Sequence, residues 1–237
     1  MQTKIVYEDK FLIVVYKPAG LATQTNKIGQ SDVESEIKNY LGSPYLGLVH
    51  RLDQPVEGLL VLGKTEKASA GLAKQLTENT LKKRYLAMVC GEIKEQQAEL
   101  VDHLYKTKEN RAEILSVEEL SDAEIQRLIR EKGVRKACLR YRVEKKAEQT
   151  DTSAPVWRLD VEIDTGRFHQ IRAQLSHAGL PILGDLKYGT ELSKQVSREL
   201  GVRGVALCAD RLQFRHPETK EVMSFEITPE NPAFTRN

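Results

Sequence analysis

Residues 50–64 read His50-Arg51-Leu52-Asp53-Gln54-Pro55-Val56-Glu57-Gly58-Leu59-Leu60-Val61-Leu62-Gly63-Lys64, and no other stretch constrains the fold as tightly. Four consecutive apolar residues, 59–62, read as a buried strand. A charged turn stands immediately before them, so its carboxylate is tethered to a core element. A side chain held on a rigid edge can serve as a reacting group, whereas one on a loose loop cannot be aimed. Taken alone, the segment could equally be a buried Arg–Asp pair stapling a loop.

Strand and helix patterns alternate along the rest of the chain without a strict β-α-β rhythm. Ile5-Val6-Tyr7, a Glu8-Asp9-Lys10 turn and residues 11–15 predict a hairpin whose second strand is buried on both faces. Ser31 with Glu34 predicts a capped helix carrying Val33, Ile37, Tyr40 and Leu41 on one side. Thr65 caps a second helix with Leu72 and Leu76, and Ser121 with Glu124 opens a third that Gly133 stops. Residues 81–91 and 157–163 alternate as strands, and Ile171, Leu175 and Ala178 mark a short helix closed by Gly179 and Pro181. A hairpin through Leu212, Phe214, Met223, Phe225 and Ile227 ends the pattern. With no repeat, low-complexity tract or long linker, the expected organisation is a single α+β domain over 1–237, with a charged helical insertion around 113–133.

Net charge is only +2, so any nucleic-acid surface has to be local. Cys90, Cys138 and Cys208 are far apart and odd in number, which indicates neither a disulfide framework nor a zinc site. No run approaches the ~18 apolar residues of a membrane span, and the start shows no signal-peptide pattern. The expectation is a cytoplasmic protein that is monomeric, touches no membrane and uses no metal or organic cofactor. His50, His169 and His177 lack carboxylate or thiolate partners at ligand spacing, so they are expected to be structural rather than metal-binding.

Four segments, in order, carry a resemblance. They are Lys17-Pro18-Ala19-Gly20; the His50-Arg51-Leu52-Asp53 turn with Gly58; the Lys83–Gly91 strand with Tyr85; and Asp164-Thr165-Gly166-Arg167-Phe168-His169-Gln170-Ile171-Arg172, with Gly184-Asp185 behind it. Together with residues 207–217 they resemble the RluA-type pseudouridine synthases, which isomerise uridine in RNA. One such string is weak support; the ordered set covers nearly the whole chain. The resemblance implies a mixed, largely antiparallel central sheet with flanking helices, and ribosomal or transfer RNA as substrate.

It also implies roles. Asp53 would be the reacting carboxylate, either attacking ribose C1′ or removing a proton, and must be ionised. Tyr85 would lie against the extruded base, and Arg172 would supply the cation that keeps Asp53 charged once RNA excludes water. Arg51 would fill the hole left by the flipped base, with His50, Arg167, His169 and Gln170 as further substrate-binding residues. The expected Asp53–Arg172 pair makes Arg172→Met a change that harms catalysis far more than stability. By residue type alone, Tyr85 would be an ordinary core aromatic and Arg172 a solvated charge.

Four positions depart from the family's common pattern. Val56-Glu57 replaces a Thr-Ser pair, Tyr16 stands where asparagine is common, and Phe168 where a small hydroxyl residue is common. None removes a reacting group. The expectation that no S4-type RNA-binding domain precedes the catalytic pattern leaves targeting to the catalytic domain. Lys132, Arg135, Lys136, Arg140, Arg142, Lys145 and Lys146 stand against Glu144 alone, a local +6 that can steer phosphates or be merely a solvated face. Two other functions fit part of the pattern: a catalytically silent RNA-binding factor, and a glycosidase-like hydrolase using Asp53 and Glu57 as its carboxylate pair.

Overall fold

The sequence Leu12-Ile13-Val14-Val15-Tyr16-Lys17 has no polar position before its last residue, and in the computed structural model all six residues are buried in strand β2 (Leu12–Lys17). Strand β1 (Lys4–Glu8) pairs with it antiparallel across the expected turn. The run after Asp53 forms β4 (Glu57–Gly63), buried along its whole length and antiparallel to β2. A strand buried on both faces needs covering layers, which is why its sequence is continuously apolar rather than alternating. The structure describes residues 1–27, 29–116, 120–147 and 152–235.

The chain forms two compact units, Met1–Leu86 with Leu207–Thr235, and Ala87–Ala206. In the first, β4 also receives β3 (Gly47–Leu48) antiparallel and β10 (Leu207–Arg215) parallel, and β11 (Val222–Glu226) closes a hairpin on β10. Helices α1 (Val33–Leu41) and α2 (Glu66–Thr77) flank these strands. Leu12, Val14, Leu59, Val61, Leu72, Leu81, Leu212 and Phe214 share one core cluster, so α2 buries Leu72 against both hairpins. Thr65 caps α2 as expected. The cap of α1 sits one residue later than expected: Asp32 accepts from the Ser35 N–H, and Ser35 reaches back to the Asp32 N–H. Tyr40, expected on the apolar side of α1, is 52% exposed and donates to Glu8.

The chain enters the second unit within β5 (Lys82–Cys90). There β6 (Gln97–Lys106) pairs antiparallel with β7 (Ala112–Leu115) and β8 (Arg135–Lys146), and β8 with β9 (Val156–Ile163). Helix α3 (Asp122–Lys132) has the expected Ser121–Glu124 capping box and stops at Gly133 in the left-handed region. Part of the expected charged insertion, 117–119, lies outside the described residues; its first residues belong to β7 rather than to a helix. Helix α4 (Gln170–His177) packs on β6, β7 and β8, with Gln170 through Leu175 all buried, and α5 (Glu191–Glu199) follows it. The α+β class is as expected. The pairings of β2 with β1 and β4, of β3 with β4, of β10 with β11, and of β8 with β6 and β9 are antiparallel, as is that of β6 with β7, and β4 with β10 is parallel.

Candidate active site

In the first unit, Asp53 opens a turn closed by the Val56 N–H on its carbonyl at 3.0 Å. The turn is fastened from the Lys17-Pro18-Ala19-Gly20 segment at several points. Gly20 N–H donates to the Gln54 carbonyl (2.8 Å), and the Gln54 carboxamide returns a bond to the Gly20 carbonyl (2.9 Å). Thr23 Oγ1 donates to the Leu52 carbonyl (2.9 Å) and accepts from the Leu52 N–H (3.2 Å). The fully buried Lys17 sends Nζ to the carbonyls of Pro18, Leu21 and Gln54 at 3.0, 2.7 and 3.1 Å. Burial pulls its ammonium down to about 8, while Asp53 and Glu57 favour the charged form. A buried cation with three carbonyls and two carboxylates around it fixes the backbone that carries Asp53.

Gly58 sits at φ +134, and a Cβ there would come within 2.5 Å of the Ala209 backbone. Only glycine lets β4 approach β10 this closely directly after the Asp53 turn. Tyr85, buried on β5, has its phenol raised well above the usual range by burial and then by the Asp53 charge, so it stays protonated. His50 is buried, its Nε2 accepts from the Val61 N–H at 3.3 Å, and burial with the Lys83 charge takes it down to about 3. It is a neutral anchor for the turn. Arg51 is exposed and Asp53 half-buried.

Glu57 has a different function from Asp53. Its buried carboxylate accepts from the Tyr16 hydroxyl (2.6 Å) and from the backbone N–H groups of Asn231 (3.1 Å) and Glu230 (3.3 Å). The departures at 16 and 57 are therefore one feature, a buried pair that also ties down the C-terminal segment. Burial and the neighbouring Glu57 charge raise the Tyr16 phenol, so it remains a donor. A carboxylate committed to three donors makes a poor general acid, which removes the carboxylate-pair hydrolase from consideration.

In the second unit, Arg172 is 4% exposed. Its Nε and Nη2 donate to the two oxygens of Asp185 at 2.7 and 2.8 Å, a two-pronged contact with a carboxylate that is itself shut from solvent. Asp185 also accepts from the N–H groups of Lys187 (3.0 Å) and Tyr188 (3.1 Å). Gly184 at φ +74 delivers it: a Cβ there would lie 2.0 Å from the Gly204 carbonyl oxygen. Sequence reasoning missed Asp185 as a partner, although the Gly184-Asp185 step was visible.

The other residues of this segment divide between surface and scaffold. Gln170, buried, accepts from the Thr165 hydroxyl (2.7 Å) and Arg167 N–H (3.0 Å) and donates to the Cys138 carbonyl (3.0 Å), so its carboxamide shapes the loop before α4. Arg167 is exposed, with Nε on the Lys136 carbonyl at 3.1 Å. His169, at φ +51, sets its Nδ1 2.8 Å from the Tyr188 hydroxyl. Among the described residues, Glu99, Cys138 and Asp164 alone have metal-ligand spacing. The Arg140 guanidinium already supplies the positive charge there, with bonds of 2.8 and 2.6 Å to Asp164. Burial and the two carboxylates push the Cys138 thiol up to about 12, away from the thiolate a metal would need.

A sequence model described as RNA pseudouridylate synthase matches residues 11–177, which include Lys17, His50, Asp53, Tyr85, Gln170 and Arg172. The chain belongs to the RNA pseudouridylate synthase family. It is 32% identical over 226 residues to the dual-specificity RNA pseudouridine synthase RluA of Vibrio parahaemolyticus, covering 95% of this chain and 82% of that protein. It is 31% identical to the ribosomal large subunit pseudouridine synthase C of Pasteurella multocida, over 94% of this chain but only 63% of the relative's length. Among solved structures, human RNA pseudouridylate synthase domain containing 1 shares the fold with a TM-score of 0.72 at 21% identity, covering 96% of this chain and 83% of that one.

Proposed function

We propose that this protein isomerises specific uridines to pseudouridine in ribosomal or transfer RNA, with residues 1–237 as a single catalytic domain. The observation that carries the reading is the fastening of the Asp53 turn by Lys17, Gly20 and Thr23, with a buried, protonated Tyr85 sensing the same carboxylate. The target base leaves its stack at a cost of a few kcal/mol and enters the site. Asp53 acts on the sugar, the C1′–N1 bond breaks, the base turns, and C1′ rejoins it at C5. The C5 proton leaves and N1 takes one up, so the reaction is redox-neutral and asks only for acid–base and nucleophilic groups.

Arg172 serves as the fixed cation for the ionised Asp53. Asp185 supports that role, because it locks the guanidinium plane through Nε and Nη2 and so pre-sets the direction of the charge. Arg51 and Arg167, both exposed, meet the RNA, while His50 and Gln170 hold the turns that present it. No described helix is long and apolar enough to cross a membrane. A monomer acting in the cytoplasm completes the reading. The test is to map pseudouridines in total RNA from cells lacking the protein, complemented with the parent or with Asp53→Ala. The parent should restore one or a few sites and Asp53→Ala none, although the variant protein remains folded. Restoration by Asp53→Ala would overturn the mechanism.

A further inference from the structure

Phe168 stands in the segment just before α4 and is 38% exposed. A large exposed aromatic at such a place calls for a physical reason. The ring is stacked on the His169 imidazole, with centroids 3.7 Å apart and planes inclined by 21°. His169 is itself held edge-on to Tyr188 (5.6 Å, 90°) with Nδ1 on its hydroxyl. Tyr188 is buried, and its hydroxyl accepts the Ala112 N–H at 2.7 Å. The exposed ring is thus the top of a three-ring assembly anchored in the core of the second unit. The Lys106 ammonium also lies over the Phe168 ring, 4.6 Å from its centroid. Arg167, the preceding residue, is exposed, and its Nε bonds to the carbonyl of Lys136, which is exposed as well.

We propose that Phe168 is a stacking platform for an unpaired nucleobase of the bound RNA, other than the uridine being isomerised, with Lys106 occupying the ring face until the base arrives. This rests on the reading of RNA as the substrate. The exchange is favourable by magnitude. An exposed cation–π contact is worth roughly 2- to 5-fold in affinity, a base stacked on an aromatic roughly 5- to 150-fold. The displaced ammonium is then released to a neighbouring phosphate, alongside Lys136 and Arg167. A ring already fixed by His169 and Tyr188 loses little freedom when the base lands, so most of the stacking energy appears as affinity.

The test uses the full chain and two fluorescein-labelled probes, a single-stranded RNA 12-mer of mixed sequence and the same backbone made abasic, read by fluorescence anisotropy. Phe168→Leu keeps bulk and apolarity but lacks a π-face. It should bind the 12-mer at least fivefold more weakly, while Phe168→Trp should bind within twofold of the parent. The abasic probe should bind the parent and Phe168→Leu alike. Equal affinity of parent and Phe168→Leu for the 12-mer, an equal loss on the abasic probe, or no binding by the parent would each overturn the platform. Pseudouridine mapping with the parent separates the two readings. Pseudouridine formed with no Phe168 dependence of binding sinks the platform alone. A Phe168-dependent 12-mer affinity without pseudouridine leaves the platform standing and sinks the synthase.

Discussion

At the scale of single residues, Arg172 departs furthest from what its sequence context suggests. An arginine on a short amphipathic helix is ordinarily solvated, and the resemblance assigned it one partner, Asp53. The structure adds Asp185, with the ion pair almost wholly withdrawn from water. The stability expectation changes accordingly. Arg172→Met should strand the Asp185 carboxylate, a loss of about 3–5 kcal/mol where burial is complete, rather than the small decrease expected from an open site. Thermal and urea unfolding followed by circular dichroism would show it. Arg172→Lys should recover little, since an ammonium cannot bond both oxygens through fixed parallel donors. Asp185→Asn combined with Arg172→Met should cost clearly less than the two single losses added. A single-variant loss below about 1 kcal/mol would mean that the pair contributes little to the fold. Asp53, Tyr85 and Arg172 were legible as a pattern, but Asp185 was not. A contact across 13 residues, made through a glycine turn, has no periodic signature.

At the scale of elements, continuous or alternating apolarity was readable and charge-laden strands were not. The sequence signalled β2, β4, β5 and the β10–β11 hairpin because their apolar positions dominate. It concealed β6 and β8, where acidic and basic side chains occupy the exposed face of alternating strands. Ala137, Leu139 and Tyr141 are the buried counterphase of what looked like a run of cations. The junction of β2, β4 and the C-terminal segment makes a testable unit. Tyr16→Phe removes the 2.6 Å donor from a buried carboxylate while keeping the ring, and should cost about 1–3 kcal/mol of stability in urea titration. Glu57→Gln should also destabilise, and the two changes together should fall short of additive because they break the same bond. Additive losses would show that Tyr16 and Glu57 act separately. Since neither touches the reacting atoms in the proposed mechanism, turnover well below the unfolding temperature should change far less than stability does.

At the scale of the whole molecule, a net charge of +2 gives little attraction for a polyanion, so the arrangement of charges decides RNA affinity. The sequence count of +6 over 132–146 overstates what RNA can use. Arg140 is clamped by Asp164 and also reaches Glu99, and Arg142 leans on Asp160 at 3.5 Å. These partners come from β6, β9 and the loop after β9, distant in sequence, so their neutralising effect was invisible in the linear run. Lys136 is exposed and has no carboxylate at ion-pair distance among the described residues, and Lys145 projects from the same strand. Each cation that meets a phosphate releases counterions and contributes roughly one to the slope of log affinity against log salt. Lys136→Gln and Lys145→Gln should therefore each flatten that slope by about one and weaken RNA binding at low salt. Arg140→Gln should leave the slope nearly unchanged, because its charge is already spent on Asp164, and should instead lower thermal stability. Titrations of total ribosomal RNA against each variant at several salt concentrations would separate the two classes. A slope that falls for Arg140→Gln but not for Lys136→Gln would mean that the Asp164 clamp opens for RNA and that Lys136 is a bystander.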